Sequence, residues 1–120
     1  MAEEFLKKYQ EFCKTTCSPF DNKEKEIMTF GLGLCGEAGD AAGCIKKICS
    51  HKDDQLPGLK ENLGDVMWYI AEICNYYNWT IDEVVAGNIE KLSKRYPNGF
   101  DWTALSRGNK RIDWNEDGKE

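Results

Sequence analysis

The chain has 120 residues, a formal net charge of -5 and a hydrophobic fraction of 41%. A single domain is expected at this length, and its modest core would gain from oligomerisation. The acidic balance excludes a general nucleic-acid binder, which needs a basic face to release counterions from the phosphate backbone. No apolar run approaches the roughly 20 residues of a membrane span, and the first ten residues lack a signal peptide's apolar segment. We therefore expect a cytoplasmic protein with neither a nucleic acid nor a membrane as partner.

Apolar residues recur at three- and four-residue spacing along the chain, which predicts an all-α fold of four helices. The first helix is predicted over about residues 2–16. Its apolar face consists of Phe5, Tyr9, Phe12 and Cys13. The second helix is predicted over about residues 23–50, followed by a polar loop that begins at His51.

The third helix is predicted to begin near Pro57, because proline is tolerated in the first turn of a helix. It extends to about Asn78 and carries a continuous apolar stripe. Trp68 lies opposite that stripe on the helical wheel, so we expect its ring to face another subunit.

A capping box that begins at Thr80 predicts a fourth helix from Ile81 to about Arg95. The Pro-Asn-Gly sequence that follows ends this helix. We therefore divide the chain into a helical domain, residues 1–100, and a polar C-terminal tail, residues 101–120.

The six cysteines are expected to be reduced thiols, because no export signal accompanies them. Two pairs, Cys13 with Cys17 and Cys44 with Cys49, have loose zinc-site spacings. Both pairs lie in or at the end of predicted helices, and His51 is the one imidazole in the chain. A structural zinc site is therefore not favoured.

Polar residues interrupt the apolar stripes of the second and third helices. Glu37 lies at the margin of one stripe, with Asp40 three residues further on. Asn62 and Asp65 line one edge of the other stripe, and Glu61 lies on its outer side. A half-buried carboxylate needs a cation, hydrogen bonds or a proton in compensation. Acids at this spacing on two helices can direct several oxygens into one gap, as Mg²⁺ prefers.

An alternative is that these acids are boundary residues paired with lysines. The lysines concerned are Lys46, Lys47 and Lys91. Glycines adjoin both acidic groups, and glycine costs a helix interior about 0.5–1 kcal/mol relative to alanine. These glycines are Gly36, Gly39 and Gly64. Their repeated use predicts either close helix packing or the close approach of a ligand.

The fourth helix carries Asn88, Lys91 and Arg95 along one face. A cationic edge beside a carboxylate-held metal suits a polyphosphate, whose charge would be shared between the metal and these side chains. Basic residues near a helix C-terminus are also common for another reason, since they complement the helix dipole.

Three stretches, in the order GLGLCGEAGDAAGCIKK, ENLGDVMWYIAEI and NIEKLSKRYPNGF, resemble the MazG-like nucleoside triphosphate pyrophosphohydrolases. These enzymes are part of the all-α NTP pyrophosphatase superfamily. The resemblance implies a four-helix bundle completed by assembly into a homodimer or homotetramer. It also implies dependence on Mg²⁺, for which Mn²⁺ can substitute, and hydrolysis of an NTP or dNTP to the monophosphate and pyrophosphate.

The resemblance also implies which residues bind the metal, because the family's ligands form an ExxE pair and a later ExxD pair. Glu37 and Asp40 match the first pair, and Asp65 ends the second. Asn62 stands where the family usually has glutamate, which removes a negative charge, and the preceding Glu61 is an alternative ligand. Of the two predicted catalytic residues, Glu37 is the preferred ligand and Asp40 the preferred base.

The remaining predicted contacts are with the substrate. Phosphate contacts are expected from Lys46, Lys47, Asn88, Lys91, Arg95 and Tyr96, and Tyr69 could stack on a base. Two other readings compete with this one. A ferritin-like di-iron bundle expects Glu-x-x-His pairs, which His51 does not provide. A helical nucleotide-binding or interaction module with a decayed catalytic site would account for Asn62.

Overall fold

Residues 2–51 and 54–103 are described in a computed structural model of the chain. They contain four helices and no strand. The helices are α1 (Ala2–Thr15), α2 (Lys23–His51), α3 (Leu56–Tyr77) and α4 (Ile81–Arg95). The predicted all-α class and the four helices are confirmed. One boundary is corrected, because His51 ends α2 instead of beginning a loop. Residues 104–120, most of the predicted tail, lie outside the described residues.

The chain divides into two compact units, of which the first ends at Ile81 and the second begins at Asp82. The first unit contains α1, α2 and α3, and the second contains nearly all of α4. Each unit is described by itself below. In the part of the chain that the structure describes, no helix has the length and apolarity that a membrane crossing requires.

The helices α2 and α3 pack against each other as an antiparallel hairpin. Side-chain contacts that set the register join Lys23 to Tyr76, Phe30 to Trp68, Gly33 to Tyr69 and Cys44 to Asn62. Residue numbers fall along α3 as they rise along α2. This register places Glu37 level with Asp65, and Asp40 one turn further on, level with Asn62.

A buried glutamine attaches α1 to the end of α3. The Nε2 of Gln10 donates hydrogen bonds to Asn75 Oδ1 at 3.0 Å and to the Trp79 carbonyl at 2.8 Å. Its Oε1 accepts a hydrogen bond from the Ile81 amide at 3.0 Å, and Asn75 Nδ2 donates back to the Gln10 carbonyl. Every polar end of this buried side chain is thus satisfied, as burial of an amide requires.

The predicted apolar face of α1 is wrong in part. Phe5 and Phe12 are 71% and 59% exposed, whereas Cys13 is fully buried. The buried face of α1 is centred on Gln10 and Cys13. A hydrophobicity pattern assigns a glutamine to the surface, because the pattern contains no information on hydrogen-bond partners from 65 or 71 residues further along the chain.

The prediction that Trp68 lies on the side of α3 away from the other helices is also wrong, and its contact with another subunit stays a prediction. Its ring packs edge-to-face on Phe30, with 6.1 Å between ring centroids. Its Nε1 donates a hydrogen bond to Thr16 Oγ1 at 2.8 Å. Since α3 contacts both α1 and α2, its inward surface is wider than one apolar stripe and includes an aromatic side chain with a polar end.

One glycine permits close helix packing, but it is not among those predicted to do so. The position that a Cβ of Gly33 would occupy is filled by the ring of Tyr69. No atom lies within 4 Å of the corresponding positions at Gly36, Gly39 and Gly64. The close-packing interpretation of these three glycines is therefore wrong, and the ligand-approach interpretation stays a prediction.

Candidate metal centre

Glu37 and Asp65 approach each other across the groove between α2 and α3. Glu37 is half-buried, and desolvation raises the pKa of its carboxyl. The negative charges of Asp65, Asp40 and Glu61 raise that pKa further, in this order. These three acids therefore lie close enough to Glu37 for their charges to act on it. Acidic side chains of α2 and α3 thus lie near Glu37, and their convergence on a common metal ion stays a prediction.

Among the described residues of the first unit, no cationic side chain forms an ion pair with these acids. Within its described residues, Lys14 pairs with Glu11 and Lys23 with Glu26, and neither pair includes an acid of the groove. Lys46 and Lys47 are exposed on α2 and form no ion pair there. The ion pairs that boundary residues would make with these two lysines are thus not formed.

The side chains of the group are not arranged as a closed metal cage. Among residues 2–51 and 54–103, no three His, Cys, Asp or Glu side chains converge closely enough to hold a metal ion. Asp40 and Glu61 are exposed at the edge of the groove, whereas Glu37 and Asp65 are half-buried. In its chemistry, however, this set of oxygen donors fits a hard divalent cation, which would remove the mutual repulsion.

Asn62 faces α2, as its position on the stripe predicted. Its Nδ2 donates a hydrogen bond to Cys44 Sγ at 3.5 Å, and its Oδ1 accepts none from any described residue. Glu61 is exposed on the outer side of α3. An uncommitted amide oxygen thus lies in the groove where the resemblance implies a carboxylate. The contact between Asn62 and Cys44 was not predicted. The one signal for it in the sequence is that Cys44 follows Asp40 by four residues, one helical turn.

Tyr69 lies one helical turn after Asp65. Its ring covers Gly33 and packs edge-to-face on Trp68, with 5.0 Å between ring centroids. This side chain is half-buried and contributes to the packing of α2 on α3. Its predicted role in base stacking stays a prediction.

The predicted phosphate contacts of the fourth helix belong to the second unit. Asn88 is exposed on α4, and Lys91 and Arg95 are half-buried. The guanidinium of Arg95 lies 5.9 Å from the centre of the Tyr96 ring, a cation–π contact. The helix face predicted from the spacing is present, and its role in phosphate binding stays a prediction.

Comparison with known proteins agrees with this description. A family model, the MazG nucleotide pyrophosphohydrolase domain, matches residues 25–100. The match covers more than half of the chain and includes the acids of α2 and α3 and the basic face of α4. The chain therefore belongs to the MazG nucleotide pyrophosphohydrolase domain family.

A curated relative also matches the chain. The chain is 38% identical over 73 residues to the "Gene 37 protein" of Mycobacterium phage L5, an alignment that covers 57% of this chain and 64% of that protein. The chain thus spans less than two thirds of the relative's length. No solved structure matches the chain significantly.

Proposed function

We propose that the chain is a Mg²⁺-dependent nucleoside triphosphate pyrophosphohydrolase that converts an NTP or dNTP to the monophosphate and pyrophosphate. The carrying observation is the group of acids around Glu37, whose charges raise the pKa of its carboxyl and which form no ion pair with a lysine or arginine among the described residues of the first unit. Such a group is unfavourable until it binds a cation or takes up a proton. Membership of the family makes a cation the better explanation.

In this proposal the metal is held by Glu37, Asp40 and Asp65, with the Asn62 amide oxygen or Glu61 assisting. When bound, Mg²⁺ supplies charge neutralisation to the triphosphate and lowers the pKa of a coordinated water. Asp40 is exposed on the turn after Glu37, where its carboxylate can accept the proton of the attacking water.

The basic face of α4 binds phosphate in this proposal. Lys91 and Arg95 would donate charged hydrogen bonds to phosphate oxygens, with Asn88 and Tyr96 as further contacts. Lys46 and Lys47 are exposed, form no ion pairs among the described residues of the first unit, and are also available to phosphate.

We also propose that the protein is a homodimer or homotetramer. The helix α2 exposes large apolar side chains, including Leu32 at 72% and Ile45 at 50%. Assembly would remove such surface from water, which is favourable by about 25 cal/mol per Å² of apolar area.

A second candidate function is a helical nucleotide-binding or interaction module without turnover. Two observations favour it: Asn62 removes one charge from the acidic group, and no closed cage of His, Cys, Asp or Glu side chains forms among the described residues. Lower charge weakens the affinity of a carboxylate site for a divalent cation.

A hydrolysis assay separates the two functions. The full chain is incubated with a panel of ribonucleoside and deoxyribonucleoside triphosphates with Mg²⁺, with Mn²⁺ or with a chelator. The enzyme should release pyrophosphate in a metal-dependent reaction with at least one of these substrates. Release of inorganic phosphate in place of pyrophosphate would contradict the proposed reaction. No turnover of any substrate, with nucleotide binding that does not respond to metal, would leave only the module.

A further inference from the structure

Cys44 lies on α2 in direct contact with two positions of α3. Its Sγ accepts the hydrogen bond from Asn62 Nδ2 at 3.5 Å. A Cβ built on Gly58, one turn before Asn62, would lie 3.6 Å from the same sulfur. The thiol therefore lies in the groove beside the first turns of α3, within reach of both positions.

This contact determines which end of the Asn62 amide faces the acids. A side-chain amide has a donor end and an acceptor end on opposite sides of one carbon. With the nitrogen donating to Cys44, the oxygen is the end of the amide that accepts no hydrogen bond from a described residue. In the antiparallel register, Asp40 lies level with Asn62, and Asp65 follows Asn62 by one turn of α3.

We infer that Cys44 is a positioning residue that holds the Asn62 amide with its oxygen presented to the cation of the acidic groove. This inference rests on the proposed function, because it assumes that the groove binds a divalent cation. A glutamate at position 62 would not need such a partner, since both of its oxygens are acceptors. Asn62 and Cys44 therefore act as a pair, in which the thiol compensates for the two chemically different ends of the amide.

Mn²⁺ affinity of the nucleotide-free full chain, measured by electron paramagnetic resonance, tests the inference without reference to turnover. Cys44→Ala removes the acceptor and should weaken Mn²⁺ binding about tenfold, as loss of a partner that orients a ligand does. Cys44→Ser keeps an acceptor and should remain within about twofold of the native affinity. Cys49→Ala, an exposed cysteine of the same helix, is the matched control and should change nothing.

A second set of variants separates positioning from packing. Cys44→Val has an apolar side chain of similar size and no acceptor. It should therefore lose Mn²⁺ affinity as Cys44→Ala does. It also replaces Cys44→Ala if that protein fails to fold. In an Asn62→Glu background, Cys44→Val should no longer alter Mn²⁺ affinity. A purely structural role would instead produce the same loss in both backgrounds.

The outcomes distinguish this inference from the proposed function. If the native chain binds Mn²⁺ and the folded Cys44→Val protein binds it equally well, the positioning role is overturned and the metal site stands. If the native chain binds no Mn²⁺ and hydrolyses no nucleotide, the proposed function and the positioning role fail together. Circular dichroism and thermal unfolding verify that each variant is folded.

Discussion

Two acids on one face of α3, Asp65 and Glu72, have contrasting surroundings two turns apart. Asp65 is half-buried and shares the groove with three other acids. Glu72 is only 4% exposed, and its Oε2 is buried without a hydrogen-bond partner. The first acid belongs to a group open to solvent at its edge, whereas the second is enclosed by the packing of the helices.

The groups that shift the pKa of Glu72 come from all three helices of the first unit. Desolvation raises the pKa of Glu72, a hydrogen bond from Asn75 lowers it, Glu26 on α2 raises it and Lys14 on α1 lowers it. Its neighbours on α1 also include Cys13, whose pKa is itself raised, chiefly by desolvation. A solitary buried acid of this kind reduces its cost by taking up a proton.

Tyr9 on α1 interacts with both regions. Desolvation, its hydrogen bond with Cys13 and the charges of Cys13, Asp65 and Glu72 together raise the pKa of Tyr9 to about 12. One face of α3 thus carries a group of acids at the level of Asp65 and a single enclosed acid, which favours a proton, at the level of Glu72. What distinguishes the two levels is whether several acids converge there.

The largest expected effect is the loss of turnover in Glu37→Gln. The amide cannot replace the negative charge at the centre of the acidic group, so hydrolysis should fall at least about a hundredfold. Pyrophosphate release measures this, and the helical circular dichroism signal should be unchanged. Glu72→Gln is the matched control and should keep turnover. Equal losses in both variants would contradict the distinction between the two levels.

The next effect concerns Gly33 and Tyr69, whose contact lies between the two levels. Gly33→Ala places a methyl group where the Tyr69 ring lies, and we expect destabilisation of about 1–3 kcal/mol. Gly31→Ala, in the same helix with no atom within 4 Å, should be neutral or stabilising by up to about 1 kcal/mol. Urea unfolding measures both variants. A stabilised Gly33→Ala protein would show that Tyr69 can move away without cost.

The smallest effect is a change in the pH dependence of stability in Glu72→Gln. The pKa of Glu72 in the folded chain lies above its ordinary value of 4.5, so the folded state binds more protons than the unfolded state above that pH. The free energy of unfolding of the native chain therefore contains a contribution that is full below 4.5 and is lost as pH rises through the folded pKa.

Urea unfolding at several pH values between about 4 and 8 measures this contribution. Glu72→Gln lacks the titrating group, so its stability should decline less with rising pH than that of the native chain. Glu24→Gln, an exposed acid of α2, should retain the native profile. Parallel profiles for the native and Glu72→Gln proteins would contradict a proton at Glu72.

Much of the fold follows from local signals in the sequence. The capping pattern at Thr80 and the Pro-Asn-Gly sequence after Tyr96 predict the limits of α4, and the structure has them at Ile81 and Arg95. The half-buried position of Glu37 is likewise predicted from the sequence, because this polar residue lies at the margin of a regular apolar stripe. Such features depend on residues within a few positions of one another.

The misassigned features depend on partners far along the chain. Gln10 is buried because three groups near residues 75–81 satisfy its amide, and Trp68 turns inward because Thr16 accepts its N–H. The close contact at Gly33 requires the register of α2 against α3, which the periodicity of either helix does not specify. The neighbour of Asn62 was missed for the same reason.

The attachment of α1 through Gln10 also constrains the order in which the chain can fold. Its hydrogen bonds join residues separated by 65, 69 and 71 positions, whereas α2 and α3 are neighbours in sequence. During synthesis on the ribosome, α1 emerges first, but the first partner of its glutamine is Asn75 and the set is complete only when Ile81 has been made. The hairpin of α2 and α3 can form earlier because its loop closure is short. The first helix to be synthesised is therefore the last of the three to be fixed in place.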